Sequence, residues 1–303
     1  MKRLLVQWGE SYLYHPTLAQ KRLSLFLLPL SWLYCFIAYI RYRVSTPRLF
    51  GIPVVSIGNL TVGGSGKTPL TIELAKHFHR PAIVLRGYGR QSRGMVVVKD
   101  RTILCDTLIS GDEAMLYAMS LPHAVVIVSE NRERGIAEAK SMGCEMVFLD
   151  DGYGKHQIKK LDVVIDVQTP NTFCLPSGAY RERLWNGKKV TMVREGESFT
   201  RHVTVQNSTS RMVLVTAIAR PERLDPYLPE VSEKIYFEDH HFFTSEELNA
   251  IISRTGATSL LVTQKDFVKI AHFNFNLSIL ELSLELDERL ITTVKDYVYA
   301  SQN

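Results

Sequence analysis

One stretch limits what this 303-residue chain can fold into more than any other: residues 52–79, IPVVSIGNLTVGGSGKTPLTIELAKHFH. Residues 52–57 form a short apolar, β-branched run of the kind that makes a buried strand. Residues 67–79 carry helical periodicity through Leu70, Leu74, Ala75 and Phe78. Between them lies a glycine-rich turn, Gly58 to Gly66, that leads into Lys67-Thr68. Strand, glycine turn ending GKT and helix together make a phosphate-binding loop. At Gly63, Gly64 and Gly66 no Cβ blocks the approach, so backbone N–H groups can close on phosphate oxygens. Lys67 is then placed for the β- and γ-phosphates, and the Thr68 hydroxyl for Mg²⁺. The nucleotide-binding run is Thr61, Val62, Gly63, Gly64, Ser65, Gly66, Lys67 and Thr68, with Thr61 where the usual pattern has its first glycine. Pro69 suits the first helical turn, where a missing N–H costs little.

The rest of the chain is long enough for one large or two ordinary domains, and 46% hydrophobic with 22% charged residues is the composition of a globular protein. Four scattered cysteines (Cys35, Cys105, Cys144, Cys174), with no CxxC pair, point to reduced thiols rather than a disulfide framework or a zinc site. The net charge of +5 is unevenly placed. Residues 1–50 hold seven basic side chains against Glu10 alone, a net of +6, so the remainder sums to −1. The same segment contains the longest apolar run, Ser24 to Ile40, interrupted by Pro29 and carrying Trp32, Tyr34 and Tyr39. As one helix it would span about 26 Å, slightly short of a ~30 Å hydrocarbon core. Aromatic residues of this kind favour the headgroup interface. No cleavage site follows, so a signal peptide is excluded. A kinked, membrane-associated helix over an anionic surface is expected, whether spanning or interfacial. A nucleic-acid partner is not expected, because the basic excess is confined to this hydrophobic segment.

Beyond Arg80 strands and helices alternate: strands at 82–85, 95–98, 125–128 and 145–149, a helix opened by Ser110-Gly111-Asp112-Glu113, and another over 132–142. Alternation of this kind predicts an α/β fold of the P-loop NTPase type, a mostly parallel sheet with helices on both faces. Ligands then sit at the carboxyl ends of strands. Asp150 and Asp151 directly follow the apolar strand Met146-Val147-Phe148-Leu149, as acids that hold Mg²⁺ beside a phosphate loop should. Asp112, by spacing alone, is equally compatible with a helix cap.

Several segments are left that folding alone does not demand. In chain order the motifs are GNLTVGGSGKTP, RGYGR, SGDE, LDDGY, LPSGAYRE, EDHHFF and VTQKD. Seven motifs in this order, preceded by LLPLSWLY, resemble the tetraacyldisaccharide 4′-kinase family over most of the chain. This chain has TQKD where that family more often has TEKD, LDDGYGKH where it has an LDDGFQH-like run, and Tyr180 where it has leucine. The resemblance implies transfer of the γ-phosphoryl group of ATP, with Mg²⁺, to the 4′-hydroxyl of a tetraacylated glucosamine disaccharide 1-phosphate, the lipid A precursor. It implies Asp112 as catalytic acid–base residue, assisted by His240 (or its neighbour His241), and Asp150 and Asp151 at the metal and catalytic centre with Thr68. Arg86, Arg132, Arg181 and Glu182 become candidate phosphate or substrate contacts.

The expected organisation is an N-terminal basic and apolar membrane-associated segment (1–45), a P-loop kinase domain (46–205) and a smaller C-terminal α/β domain (206–303). Strands of the last are expected at 212–217, 234–237, 260–263 and 279–282. Localisation would be the cytoplasmic face of the bacterial inner membrane; oligomeric state is left open. Two rivals use the same loop: a membrane-recruited ATPase switch without a lipid acceptor, and a GTPase. For the GTPase the guanine-reading NKxD is missing, since Lys265 stands directly beside Asp266.

Overall fold

The computed structural model describes residues 2–98, 107–218 and 221–302. It opens with three helices, α1 (Lys2–Tyr14), α2 (Leu18–Phe26) and α3 (Leu28–Val44). The phosphate-loop unit follows as β1 (Val54–Asn59) and α4 (Lys67–Ala75), then β2 (Pro81–Leu85) and β3 (Val96–Val98). Next come α5 (Thr107–Ser110), α6 (Asp112–Ser120), β4 (Val125–Val128), α7 (Arg132–Ser141), β5 (Met146–Asp150), β6 (Leu161–Ile165) and β7 (Thr191–Val193). These strands form one sheet in the order β3-β4-β2-β5-β1-β6-β7, parallel except for the edge strand β3. Every residue of β1, β2, β4 and β5 is buried, as strands covered on both faces must be.

Register decides where the chemistry sits. β1 lies between β5 and β6, with Ile57 opposite Asp150. The glycine loop after β1 and the two acids after β5 therefore leave the sheet side by side at its carboxyl edge.

A second sheet is built from β8 (Phe199–Gln206), β9 (Met212–Thr216), β10 (Glu233–Tyr236), β11 (Ser259–Thr263) and β12 (Leu277–Leu286), in the order β10-β9-β11-β12-β8. It is parallel apart from the β8/β12 ribbon, and carries α8 (Ser245–Thr255), α9 (Gln264–Ile270) and α10 (Glu288–Ala300). The boundary expected between 205 and 206 runs through that ribbon. β8, counted with the first unit, hydrogen-bonds along β12; α10, counted with the second, packs Leu290, Val294 and Val298 into the core of the first sheet with Leu74 and Phe148. The two units are thus tied together by two strands and a helix.

The apolar N-terminal run differs from a single kinked helix. It breaks at Leu27, and α2 and α3 meet at a bend of 58° with Pro29 in the first turn of α3, where its missing N–H has no helical partner to lose. No single helix among the described residues is long and apolar enough to cross a membrane, although the bent pair together reaches that length and composition. Its patterning is inside out. Ser24, Ser31 and Ala38 face the protein, while Phe26 is 81% and Trp32 69% exposed, and Leu25, Phe36 and Ile37 are also exposed. The serines are used as fasteners: Ser24 Oγ donates to the Ser177 carbonyl at 2.5 Å, and Ser177 N–H donates to Ser31 Oγ at 2.9 Å.

One cysteine expectation is corrected here. Cys35 of α3 and Cys174 are paired in a disulfide, with Cα atoms 6.0 Å apart. Their separation of 139 residues hides the contact in the sequence; the serine hydrogen bonds to Ser177 lie in the same two segments, α2–α3 and the loop after Cys174. Cys144 is free and buried, and Cys105 lies outside the described residues.

Candidate active site

The phosphate loop is a left-handed turn into a helix. Gly66, at φ +83°, is the N-cap of α4, a conformation that a Cβ would strain. Leu70, Thr71, Leu74 and Ala75 bury the inner face of that helix, which fixes its N-terminus against the sheet. Lys67 Nζ lies 3.3 Å from Asn59 Oδ1 and 3.7 Å from Asp151 Oδ1. The first half of the loop is fastened to the LPSGAYRE turn: Val62 N–H donates to the Ala179 carbonyl at 2.9 Å, and Thr61, which is buried, bridges to Tyr180. Arg223, from the 3₁₀ turn Pro221–Tyr227 of the second unit, donates to the Gly64 carbonyl at 2.8 Å.

Asp150 and Asp151 are adjacent but differently placed. Asp150 is buried at the end of β5, and its Oδ1 has no hydrogen-bond partner. Burial and the nearby Glu113 push its carboxyl up to about 7, against the pull of Lys67. The phenol of Tyr117, wholly buried and pushed well above its usual range by that burial, lies among Asp150, Thr71 and Thr68. A buried carboxylate oxygen without a hydrogen-bond partner, close to the phosphate-loop Lys67, fits a hard cation such as Mg²⁺. Among the described residues no three His, Cys, Asp or Glu side chains converge as a metal cage. Mg²⁺ needs none, because it takes one or two carboxylates and leaves other positions to phosphates and water.

Asp151, at φ +52°, turns the other way and is gripped by Arg181, whose Nη1 donates to Oδ2 at 2.9 Å and whose Nη2 reaches Oδ1. Burial alone would raise this carboxyl; Lys67 and the Arg181 hydrogen bonds outweigh it and hold it below its ordinary range. Arg181 also donates to Asn59 Oδ1 at 3.0 Å, so Asp151, Arg181, Asn59 and Lys67 form one linked set.

Arg86, Arg132 and Arg181 line a cavity of about 380 Å³ together with Tyr34 and Arg41 of α3, and Lys155. Arg132 is buried and donates to the Ser129 carbonyl at 2.7 Å. Burial, with Arg132, Arg86 and Arg41 nearby, pulls the Lys155 ammonium below its usual range, although Glu130, Asp151 and Glu182 line the same cavity. Glu182, expected among the phosphate or substrate contacts, lines this cavity and also serves as a fastener. It is buried, ion-paired with Arg41 and 3.5 Å from His156 Nε2, so it holds Arg41 at the chamber wall. On the other side of the phosphate loop a cleft of about 1110 Å³ is lined by Gly64 to Gly66, residues 165–168 after β6, and Arg223, Tyr227 and Lys265 of the second unit.

Asp112 is buried at the first position of α6, and His240 comes to it from the second unit: Nδ1 lies 3.0 Å from Asp112 Oδ2. His240 adopts φ +63°, and its ring sits 5.7 Å from that of Tyr88 in the RGYGR loop. Burial by itself would raise the Asp112 carboxyl, but the His240 hydrogen bond, Lys269 and Lys265 bring it below its ordinary value. His241 points elsewhere, 3.1 Å from Glu247 and stacked at 4.6 Å on Phe237. Of the two neighbouring histidines, only His240 meets Asp112. Lys269 was not singled out by the sequence; its side chain is 1% exposed and 3.3 Å from Asp112.

Known proteins are similar to this chain over nearly its whole length. A protein-family model, Tetraacyldisaccharide-1-P 4′-kinase, matches residues 23–299. The tetraacyldisaccharide 4′-kinase of Aliarcobacter butzleri is 42% identical, covering 98% of this chain and 99% of its own. That of Helicobacter pylori (strain HPAG1) is 44% identical, covering 95% and 94%, and that of Campylobacter jejuni (strain RM1221) is 41% identical, covering 96% of each. A crystal structure of LpxK from Aquifex aeolicus in complex with ATP has the same fold, with a TM-score of 0.71 at 24% identity over 93% of this chain and 100% of that one. On the family model and on relatives more than 40% identical from end to end, this chain belongs to the tetraacyldisaccharide-1-P 4′-kinase family.

Proposed function

We propose that this protein transfers the γ-phosphoryl group of ATP to the 4′-hydroxyl of a tetraacylated glucosamine disaccharide 1-phosphate, a step of lipid A biosynthesis. The observation that carries the reading is the 3.0 Å approach of His240 to Asp112, from 128 residues away, in a chain that also holds a complete phosphate loop. A kinase must accept a proton from its acceptor hydroxyl, and this buried carboxylate with its imidazole partner supplies such a group.

Thr61 to Thr68 cradle the nucleotide phosphates, and Lys67 offsets charge on the β- and γ-phosphates. Thr68 and Asp150, with Asp151 behind them, would hold Mg²⁺, which when bound neutralises charge developing on the transferred group. Asp151 fixes Lys67 and Arg181 around that position. Asp112 takes the hydroxyl proton, and His240 orients the carboxylate and stabilises its charge. The arginine-lined chamber at α3 takes an anionic part of the acceptor. The outward apolar face of α2 and α3, with the +6 of residues 1–50, supports docking of that chamber on the anionic cytoplasmic face of the inner membrane.

The test is product identity. With γ-labelled ATP, Mg²⁺ and the lipid disaccharide in mixed micelles, the label should move to the glycolipid at its 4′ position. Label released only as free phosphate would replace the kinase reading by that of an ATPase.

A further inference from the structure

Lys269 lies in α9 of the second unit, and its ammonium is sealed from solvent. Nζ stands 3.3 Å from Asp112 Oδ2, 3.4 Å from Asp266 Oδ1 and 3.3 Å from the His241 carbonyl. An ammonium has three N–H donors, and three oxygens surround this one. A lysine this deeply buried persists only where its charge is met.

Its anchor is rigid. Asp266 is fully buried and accepts from Thr216 Oγ1 at 2.6 Å, Thr263 Oγ1 at 2.7 Å and the Ala217 N–H at 3.1 Å, which ties it to the ends of β9 and β11. The Ala217 carbonyl accepts from the His240 N–H at 3.2 Å. The carboxyl ends of β9 and β11 thus hold both side chains, Lys269 through Asp266 and His240 through its backbone. Both nitrogens address the same carboxylate oxygen of Asp112, Oδ2.

Resting on the assignment of Asp112 as the proton acceptor, we infer that Lys269 is a positioning residue of the transfer step: it holds Asp112 by Oδ2 in the ionised state, and so commits Oδ1 to the acceptor hydroxyl. The hydroxyl proton passes to Oδ1 as the sugar oxygen bonds to phosphorus and the β–γ bridge oxygen leaves with ADP. His240 can be supplied by loop movement alone, but Lys269 reaches Asp112 only when α9 is docked on α6. The second unit would therefore prepare the base as well as cover it.

Other charged groups around Asp112 set the background. Lys265, Asp266 and Lys269 come from α9, Asp239 and His240 from the segment after β10, and Glu113 from its own helix; Tyr88 and Arg90 come from the loop after β2, where the backbone and side chain pass close to Gly111. Lys265 is 3.7 Å from Asp239, which draws on its charge, whereas Lys269 is directly on the carboxylate.

The test is the pH profile of kcat/KM at saturating Mg–ATP for the wild type, Lys269→Met, Lys269→Arg and Asp112→Asn. An opposite charge at this range lowers a carboxyl by about one to three units, so its removal in Lys269→Met should move the acid limb to higher pH by that amount. Lys269→Arg, which keeps the charge, should return the limb toward the wild type. A merely structural lysine would lower the rate equally at every pH, and an unmoved limb in Lys269→Met overturns the inference. Should that variant melt before assay, Lys269→Met with Asp266→Asn removes the stranded acid, and the same shift or its absence decides. Asp112→Asn separates the two assignments: near-normal activity there overturns the base itself, whereas an inactive Asp112→Asn with an unmoved Lys269→Met limb overturns only the role of Lys269.

Discussion

Lys67, Thr68, Asp150 and Asp151 come from the ends of two neighbouring strands in one sheet; Asp112, His240 and Lys269 come from α6, a loop and α9, across two sheets. At the nucleotide end, position follows from local backbone: a glycine-capped helix start beside a strand whose register with β5 is set by a buried core. At the transfer end no element positions its own side chain. Asp112 is correct only if α9 packs on α6 and the segment after β10 curls at His240. The first arrangement is set mostly within one sheet, and the second needs both units in contact. Binding of nucleotide and competence for transfer can thus be separated by mutation.

The largest expected effect breaks the nucleotide end alone. Lys67→Ala removes the charge nearest the β- and γ-phosphates and should lower kcat by at least ~10³-fold. Its melting temperature should stay close to wild type, because the side chain bonds only to Asn59, Ser65 and Asp151 at the mouth of the loop. Near-normal turnover would remove the phosphate-loop assignment.

Asp150 sharpens the same end through pH. Its carboxyl is raised to about 7, so the folded protein holds that proton more tightly than the unfolded chain does. The stability it contributes is fully present below the ordinary value of 3.8 and is lost as pH rises from there through about 7; a bound cation offsets that loss by displacing the proton. The Mg²⁺ concentration for half-maximal activity should therefore rise roughly tenfold per unit as pH falls below about 7. Asp150→Asn should need far more Mg²⁺ and lose that pH dependence. A Mg²⁺ requirement flat from pH 8 to 5.5 would place the cation elsewhere.

Much of the nucleotide end was legible because glycine and proline announce backbone shape, and a strand followed by GKT or by two acids keeps its meaning wherever it occurs. What could not be read was which acid does what. Asp150 and Asp151 differ by the turn at φ +52° and by the reach of Arg181, neither of which leaves a mark in the sequence. Glu182 entered as a candidate contact only through the resemblance of the LPSGAYRE turn; its burial against Arg41 and His156 depends on where α3 lies. Most strands, including the middle of β12 at 279–282, were legible as apolar runs, but β6, β7 and β8 were not; β8 alternates buried and exposed residues with polar side chains outward. At the transfer end the pairing of Asp112 with His240 came only from the resemblance, and Lys269 not at all. A contact 128 residues apart has no period to reveal it.

The smallest expected effect concerns the histidine that the transfer end does not use. His241→Ala loses a half-exposed pair with Glu247 and a stack on Phe237, which together contribute no more than about 1 kcal/mol. Thermal melting should drop slightly while kcat stays within twofold. A large loss of kcat without loss of stability would exchange the roles of the two histidines.

The claim that one catalytic unit is assembled across two sheets is tested most directly by kcat for the wild type, Asp112→Ala, His240→Ala and the double variant, all with saturating Mg–ATP and lipid disaccharide. Asp112→Ala should lose about 10²–10⁴ in rate, and His240→Ala a smaller factor, with little change in nucleotide affinity. Because groups that act as a unit are non-additive when removed, the double variant should be scarcely slower than Asp112→Ala alone. Fully multiplicative losses, or normal turnover in His240→Ala, would contradict the account.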